Sequence, residues 1–268
     1  MLIVICMGYG KIWLYRFKQF LDCFFYDIIK KNVGDIMERL DKVIGSQTNY
    51  SRKDIKELVK KKKILVNEEI VLKSDIKVDP SIDKIIVEGV EIGFKKYVYL
   101  MLNKPKGYVS ATEDKNDKTV LELVPECYRH RNLFPAGRLD KDTTGLMIIT
   151  DDGDFAHNIL SPKKHISKTY NVVIDIPMTE EMVLGFKNGV NLNDGECKSA
   201  SLEIIGEYSG IVVLTEGRYH QIKRMFGCFG AKVIELERVK MGNFSLPSDL
   251  ELGKCREFTK EELDKIRS

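Results

Sequence analysis

The sequence contains few of the residues that build metal sites and disulfide frameworks. Four of its 268 residues are His, and its six cysteines form no C-x-x-C pair: Cys6, Cys23, Cys127, Cys197, Cys228 and Cys255. A zinc site or a set of disulfides would need closer and more regular spacing, so we expect reduced thiols, as in a cytoplasmic protein. The sequence therefore predicts neither a metal nor a cofactor.

Low-complexity tracts and a strong charge imbalance are lacking too. Apolar residues make up 43% of the chain and charged residues 31%, a balance typical of a globular protein. The length is sufficient for one large or two modest domains, each with a buried core. The net charge of +3 is too small to indicate a nucleic-acid partner by itself, so the distribution of charge has to decide.

Residues 1–36 differ in composition from the rest and contain eight of the chain's 24 aromatic side chains. Lys11, Arg16 and Lys18 interrupt this segment before it reaches the roughly 20 apolar residues that a membrane span requires. It also lacks the positively charged start of a secretory signal. We therefore expect no membrane association. We interpret the segment as a leader upstream of a translation start at Met37; this leader can form an amphipathic helix, and we assign it no function.

A one-sided basic helix is predicted soon after Met37. Ser51 and Asp54 have the spacing of an N-cap and its N3 partner, and Ile55, Leu58 and Val59 then mark one apolar face. The rest of the helix and its end are strongly basic, and the positive residues are Arg52, Lys53, Lys56, Lys60, Lys61, Lys62 and Lys63. Such a surface favours contact with phosphates, although a charge run can also be only a solvated face.

Short strands are predicted after this helix. ILVNEEIVL (64–72) reads as two strands around an Asn-Glu-Glu turn, and KIIVEGVEI (84–92) reads as one further strand. The order of these elements, together with the basic helix, resembles the S4 domain, a small RNA-binding module. We therefore predict an S4 RNA-binding domain over residues 37–96.

From residue 97 to residue 268 the chain alternates strand-like and helix-like segments. Apolar and β-branched runs such as YVYLMLNKP, LMIIT and KTYNVVIDI favour strands, while DFAHNIL, TEEMVLGFKNG and HQIKRMFGCFG favour helices. Single strands separated by polar turns predict an α+β domain with a mixed, largely antiparallel sheet flanked by helices.

Four short motifs stand out in this second domain: NKPKG (103–107), GRLDKDTTGL (137–146), SKTY (167–170) and EGRYHQIKRM (216–225). Together they resemble the pseudouridine synthases, and specifically the branch that joins an S4 domain to the catalytic domain and modifies ribosomal RNA. The resemblance covers residues 37–268. It implies isomerisation of uridine to pseudouridine by an aspartate and base flipping, without metal or cofactor.

The reaction explains why a carboxylate and a cation are wanted. Breaking the bond between C1′ and N1 and joining C1′ to C5 requires an ionised carboxylate beside the ribose, acting as nucleophile or as base. The resemblance assigns this carboxylate to Asp140, and Asp142, Asp151 and Asp152 are read as turn or capping residues. A cation would keep a shielded carboxylate charged. The motif favours Lys223 for this role, with the adjacent Arg224 as the alternative.

The resemblance also implies roles for other motif residues. Tyr170 would stack on the target base and handle the C5 proton, although a strand tyrosine is otherwise usually core. Arg138 would fill the space left by the flipped base, or form a salt bridge. Lys104 and Lys106 would contact the RNA backbone, or would only belong to a polar turn that ends the strand. Ile222 would pack near the base. For His220 and Gln221 a structural hydrogen-bonding role is as reasonable as a catalytic one.

The expected substrate is ribosomal RNA or a pre-ribosomal particle, and the expected protein is a cytoplasmic monomer. YHQIKRM favours the small-subunit type, with 16S rRNA and a uridine-516-type site as the target. Two alternatives stay open: a synthase acting on 23S rRNA, and a non-catalytic S4-type RNA-binding or ribosome-assembly factor. A metal-dependent nuclease is not favoured, because the histidines show no metal-binding spacing.

Overall fold

A computed structural model describes residues 37–161 and 164–267. Contacts between Cα atoms divide the chain into two compact units, with the division between Phe94 and Lys95. The expectations for the leader, residues 1–36, lie outside the described residues. No helix in the described ranges is long and apolar enough to cross a membrane.

Over residues 37–94, the first unit is built from two short helices and six short strands. In chain order these are β1 (Glu38–Arg39), α1 (Leu40–Gln47), α2 (Arg52–Lys60), β2 (Ile64–Val66), β3 (Glu69–Ile70), β4 (Lys77–Val78), β5 (Ile85–Val87) and β6 (Val90–Glu91). Strands β3, β2, β5 and β6 form an antiparallel sheet in that order, and β1 pairs with β4. Apolar side chains of α1, α2 and the sheet pack into one core.

Helix α2 has the predicted one-sided character. The Ser51 hydroxyl accepts a hydrogen bond from the Asp54 backbone N–H at 3.2 Å, and the Asp54 carboxylate accepts one from the Ser51 N–H at 2.9 Å. This reciprocal capping box is confirmed. Ile55, Leu58 and Val59 are buried, whereas all seven basic residues between 52 and 63 are exposed.

The single strand predicted for residues 84–92 is wrong, because the segment is a hairpin. Strands β5 and β6 pair antiparallel around Glu88 and Gly89. Both turn residues have positive φ, 52° and 83°, which is the conformation of a tight two-residue hairpin turn. Glycine adopts it at no steric cost, so the Glu-Gly pair was the available signal for a turn inside an otherwise apolar run.

In its described residues, 95–161 and 164–267, the second unit contains a larger sheet and four α-helices. Its elements are β7 (Tyr99–Lys104), β8 (Phe134–Pro135), β9 (Thr144–Thr150), α3 (Gly153–Leu160), β10 (Lys168–Ile174), α4 (Glu180–Asn188), β11 (Asn191–Leu192), β12 (Gly195–Glu196), β13 (Ser201–Gly206), β14 (Ser209–Leu214), α5 (Gln221–Gly227), β15 (Val233–Met241), β16 (Phe244–Ser245), β17 (Cys255–Glu257) and α6 (Lys260–Arg267). Two short 3-10 helices, Val120–Leu123 and Glu126–Tyr128, lie between β7 and β8.

The sheet has the strand order β13-β14-β10-β15-β9-β7-β17, with β16 beside β15 and β8 beside β9. Every pairing is antiparallel except that of β15 with β9. The predicted α+β class with a mixed, largely antiparallel sheet is confirmed.

Strand β9 is apolar on both faces because both faces of the sheet are covered. Met147 and Ile149 join one core, which also holds Phe186 of α4 and Phe226 of α5. Leu146 and Ile148 join a second core, on the face that α3 and α6 cover. A strand buried on both sides needs a continuous apolar run instead of alternation. This double burial anchors the strand that directly follows the GRLD turn.

Candidate active site

The backbone around Asp140 is fixed from two sides. The Ser110 hydroxyl donates to the Leu139 carbonyl at 2.7 Å and accepts from the Leu139 N–H at 3.0 Å. The buried ammonium of Lys104 donates to the carbonyls of Asp140 and Thr143 at 3.0 and 2.8 Å. With β9 beginning at Thr144, the turn that carries the Asp140 carboxylate is held at both ends.

The predicted contact of Lys104 with the RNA backbone is wrong. Its side chain is 0% exposed, and its Nζ also reaches the carbonyls of Pro105 and Lys141 at 3.1 and 3.3 Å. Burial lowers the pKa of Lys104 to about 8, although the nearby carboxylates of Asp142 and Asp140 raise it. A solvated lysine in a polar turn was the simpler reading of NKPKG, but the carbonyls of the GRLD turn need a donor.

The Asp140 carboxylate lies between two basic side chains. Lys223 Nζ is 3.0 Å from Asp140 Oδ2, and His220 Nε2 is 3.4 Å from Asp140 Oδ1. Lys223 also reaches Asp142 Oδ1 at 2.5 Å. Burial lowers the pKa of Lys223, but the hydrogen bonds to Asp142 and Asp140 outweigh it and raise the pKa above its usual value. Lys223 is therefore positively charged beside the Asp140 carboxylate.

Arg224 points away from Asp140. Its guanidinium pairs with the Asp194 carboxylate and donates to the Tyr219 carbonyl at 3.1 Å. Because consecutive helix residues point about 100° apart, α5 can present only one of Lys223 and Arg224 to Asp140. The structure places Lys223 there, as the sequence favoured.

A cavity of about 460 Å³ opens beside Asp140, within the usual range of small-molecule sites, roughly 300–1,000 Å³. Tyr170 lines it and is 8% exposed. Ile222 is also a buried lining residue, and Arg138 lines the cavity with an exposed side chain. The three residues predicted to meet the base or its vacated space therefore share one cavity with Asp140.

Arg138 and Lys106 are exposed. In the part of the chain that the structure describes, no carboxylate lies within ion-pair distance of Arg138, so the alternative reading as a salt bridge is not favoured. Asp151 and Asp152 have the predicted structural roles. Asp151 accepts from the Val98 N–H at 2.8 Å and pairs with Arg131. Asp152 is the N-cap of α3 and accepts from the Phe155 N–H at 3.0 Å.

Gln221 and His220, for which a structural and a catalytic role were both open, have different surroundings. Gln221 is buried and donates to the Glu216 carboxylate at 2.6 Å, while its carbonyl accepts from the Arg218 N–H at 3.0 Å. That is a structural role. His220 instead faces Asp140. It is the N-cap residue before α5 and has a left-handed backbone, with φ 48°.

Sequence reasoning gave no role to two buried cations of the cavity. Lys168, in the SKTY motif, is 6% exposed, and Arg238, on β15, is 2% exposed. Arg238 has a weak sequence signal. It follows Leu236 at strand spacing, so it occupies a core-facing position where an apolar residue is usual.

Comparison with known proteins agrees with this geometry. Residues 98–227 match the family described as RNA pseudouridylate synthase. A Bacillus subtilis (strain 168) protein named as an RNA pseudouridine synthase is 41% identical over 231 residues, which are 84% of this chain and 96% of that protein. The ribosomal small subunit pseudouridine synthase A of Escherichia coli is 38% identical over 231 residues, 85% of this chain and 99% of that protein. A crystal structure of a pseudouridylate synthase matches with a TM-score of 0.61 and 35% identity, covering 85% of this chain and 99% of that one. The chain belongs to the RNA pseudouridylate synthase family.

Proposed function

We propose that this protein converts one uridine of ribosomal RNA to pseudouridine, with Asp140 as the catalytic carboxylate. The observation that carries the proposal is the ion pair of Asp140 and Lys223 on the wall of a cavity that also holds Tyr170. Lys223 lies 3.0 Å from the carboxylate in a site that excludes water when the base is bound, where electrostatic attraction is strong. An ionised carboxylate is the form that can attack C1′ or remove a ribose proton.

The remaining motif residues fit the steps of base flipping. A uridine in structured RNA has to leave its stack to reach a recessed carboxylate. Arg138 is exposed and lines the cavity, so it can fill the vacated space or contact a phosphate, and Lys106 can contact the backbone. Tyr170 and Ile222 offer the flipped base an aromatic and an aliphatic surface, and Tyr170 is the candidate acceptor for the C5 proton.

The proposed RNA target is small-subunit RNA, namely 16S rRNA at a uridine-516-type site. The similarity to ribosomal small subunit pseudouridine synthase A over almost its whole length supports this choice. We further propose that residues 37–96 are an S4 RNA-binding domain and that residues 97–268 are the catalytic domain. The exposed basic surface of α2 supports the first assignment.

Mapping pseudouridine in ribosomal RNA from cells with and without the gene tests the proposal. We expect one 16S uridine to lose its modification when the gene is removed and to regain it with the wild-type gene or with Asp154→Asn, an exposed carboxylate in the first turn of α3. Asp140→Asn should not restore it, and in purified protein it should lower the rate roughly a thousandfold or more with RNA affinity nearly intact. Full modification with Asp140→Asn would rule out the assignment, and a lost 23S modification would redirect the target.

A further inference from the structure

Two cations inside the active-site cavity are paired with no carboxylate of the residues that the structure describes. Lys168 and Arg238 both line the cavity and are more than nine-tenths buried. Arg238 Nε donates to the Leu146 carbonyl at 2.7 Å, but its Nη2 is buried and makes no hydrogen bond. Lys168 Nζ makes one long hydrogen bond, 3.4 Å, to the Ile166 carbonyl. Within residues 37–161 and 164–267, no carboxylate lies at ion-pair distance from either side chain.

Two other cations of the cavity are paired with carboxylates, and a third, Arg138, is exposed to solvent. Lys223 lies between Asp140 and Asp142, and Arg218 lies within 4 Å of Glu216 and Asp194. A buried charge without a partner costs free energy, and two like charges together cost more. Burial and then the charge of Arg238 lower the pKa of Lys168 to about 8. Such an arrangement destabilises the protein when no ligand is bound, and it is typical of a site that binds a ligand.

The two cations lie next to Tyr170. Lys168 precedes Tyr170 by two residues on β10, so both side chains point to the same face. Arg238 is the direct antiparallel partner of Tyr170 on the neighbouring strand, which puts its side chain on that face too. A third polar group of the cavity, the buried Thr143 hydroxyl, also makes no hydrogen bond. The unsatisfied polar groups thus share the cavity with the surface on which the base is proposed to stack.

We propose that Lys168 and Arg238 form an anion site that holds the detached uracil through its carbonyl oxygens while it turns between the two glycosidic bonds. The inference rests on the proposed function. When the bond from C1′ to N1 breaks, its electron pair stays with the base, which becomes an anion with charge shared by N1, O2 and O4. No covalent bond then joins the base to the ribose, which the enzyme still holds. Two cations stabilise that anion and keep it in the cavity.

In the second half of the reaction the base loses its negative charge. C5 of the anion forms the new bond to C1′ while the bond from C1′ to the Asp140 oxygen breaks, or, where Asp140 acts as the base, while C2′ regains its proton from Asp140. C5 then loses its proton and N1 gains one, so the product is an isomer with no net change in electrons. Uracil carbonyls accept hydrogen bonds from a guanidinium and an ammonium in more than one orientation. This lets the same two cations hold the base before and after it turns.

A phosphate is the other anion that the RNA could supply. A phosphodiester belongs to the backbone, which follows the protein surface, and Arg138 and Lys106 are the exposed cations near the turn. The flipped base is the part of the nucleotide that enters most deeply. Lys168 and Arg238, 6% and 2% exposed, therefore suit the base better than the phosphate.

Binding of free bases to the full-length protein tests the anion site without any RNA. The probes are 5-nitrouracil, which is anionic at neutral pH, uracil, which is neutral, and inorganic phosphate as competitor, measured by calorimetry. We expect wild type to bind 5-nitrouracil at least about tenfold more tightly than uracil, as charged hydrogen bonds allow. Lys168→Met and Arg238→Met should remove most of this preference, because each should lower affinity for 5-nitrouracil much more than affinity for uracil. The control Lys187→Met, an exposed lysine of α4, should keep it.

Equal affinity for both bases in wild type would overturn the proposal, and this outcome requires no variant to fold. A preference that survives Lys168→Met would overturn it as well. Phosphate binding that depends on both cations, without preference for the uracil anion, would assign the site to the RNA backbone and overturn it too. Since no RNA is present, a protein that fails to modify ribosomal RNA but passes this test would lose the proposed function and retain the anion site.

Discussion

At the residue scale, a matched pair of substitutions on α5 tests whether Lys223 or Arg224 acts with Asp140. Lys223 contacts Asp140 and Arg224 contacts Asp194. We expect Lys223→Met to lower kcat for pseudouridine formation about a hundredfold, because it removes the cation beside the reacting carboxylate. Arg224→Met should lower kcat less than about tenfold, since its partner lies outside the reacting groups. Single-turnover rates on 16S rRNA separate the two, and equal losses would contradict the assignment.

Side-chain contacts were predictable where a motif implies them and not where the fold supplies the partner. The contact of Asp140 with Lys223 follows from GRLD and QIK. Lys104 looked exposed, because nothing in NKPKG shows that four backbone carbonyls converge on its ammonium. The contact of His220 with Asp140 was equally hidden, since 80 residues separate the two in the chain and only the packing of α5 beside the GRLD turn joins them.

At the scale of elements, the segments that form strands were predictable, and the order of the strands in the sheet was not. The apolar and β-branched runs of β9 and β10 identify strands from sequence alone. Strand β15, however, enters the sheet between β10 and β9, which precede it in the chain. That insertion brings Arg238 beside Tyr170. Pairings of such long sequence separation depend on how the whole sheet closes, so periodicity within a segment cannot reveal them.

The parallel contact of β9 with β15 depends on Gly145. Its φ is 97°, and a Cβ at this position would overlap the Arg238 backbone carbonyl. We expect Gly145→Ala to lower the free energy of unfolding by more than about 2 kcal/mol, because both the backbone strain and the overlap oppose it. The loss should extend to activity, since the same contact holds Arg238 in the cavity. Chemical denaturation and rate measurements on the same variant check both effects.

Gly153 provides the matched control for this substitution. It lies at the first position of α3, has an ordinary helical setting, and has open space where a Cβ would stand. Gly153→Ala should leave stability unchanged or raise it by up to about 1 kcal/mol, because alanine restricts the unfolded chain more than glycine does. Destabilisation of the two variants by the same amount would show that the contact with β15 is not the cause.

At the scale of the whole molecule, the two units carry charge in different arrangements. The second unit carries the carboxylate and the buried cations of the cavity, whereas the first carries a helix with exposed positive charge on one surface. Joining the proposed RNA-binding unit to the proposed catalytic unit would raise the local concentration of substrate without requiring tight binding in the cavity itself. Affinity and chemistry should therefore be separable by substitution.

Four lysines at the end of α2 test that separation: Lys60, Lys61, Lys62 and Lys63. Changing all four to Gln should weaken binding to 16S rRNA and reduce the slope of log affinity against log salt by up to about three, since each phosphate contact contributes roughly 0.7 to 0.9. The single-turnover rate at saturating RNA should change less than about twofold, because no reacting group is touched. The control replaces four exposed lysines of the second unit, Lys187, Lys232, Lys254 and Lys260, and so matches the change in net charge. If both quadruple variants lower the salt slope equally, total charge governs binding and the basic helix is only a solvated face. If the first alone lowers it, the helix is the RNA contact and the cavity works independently of it.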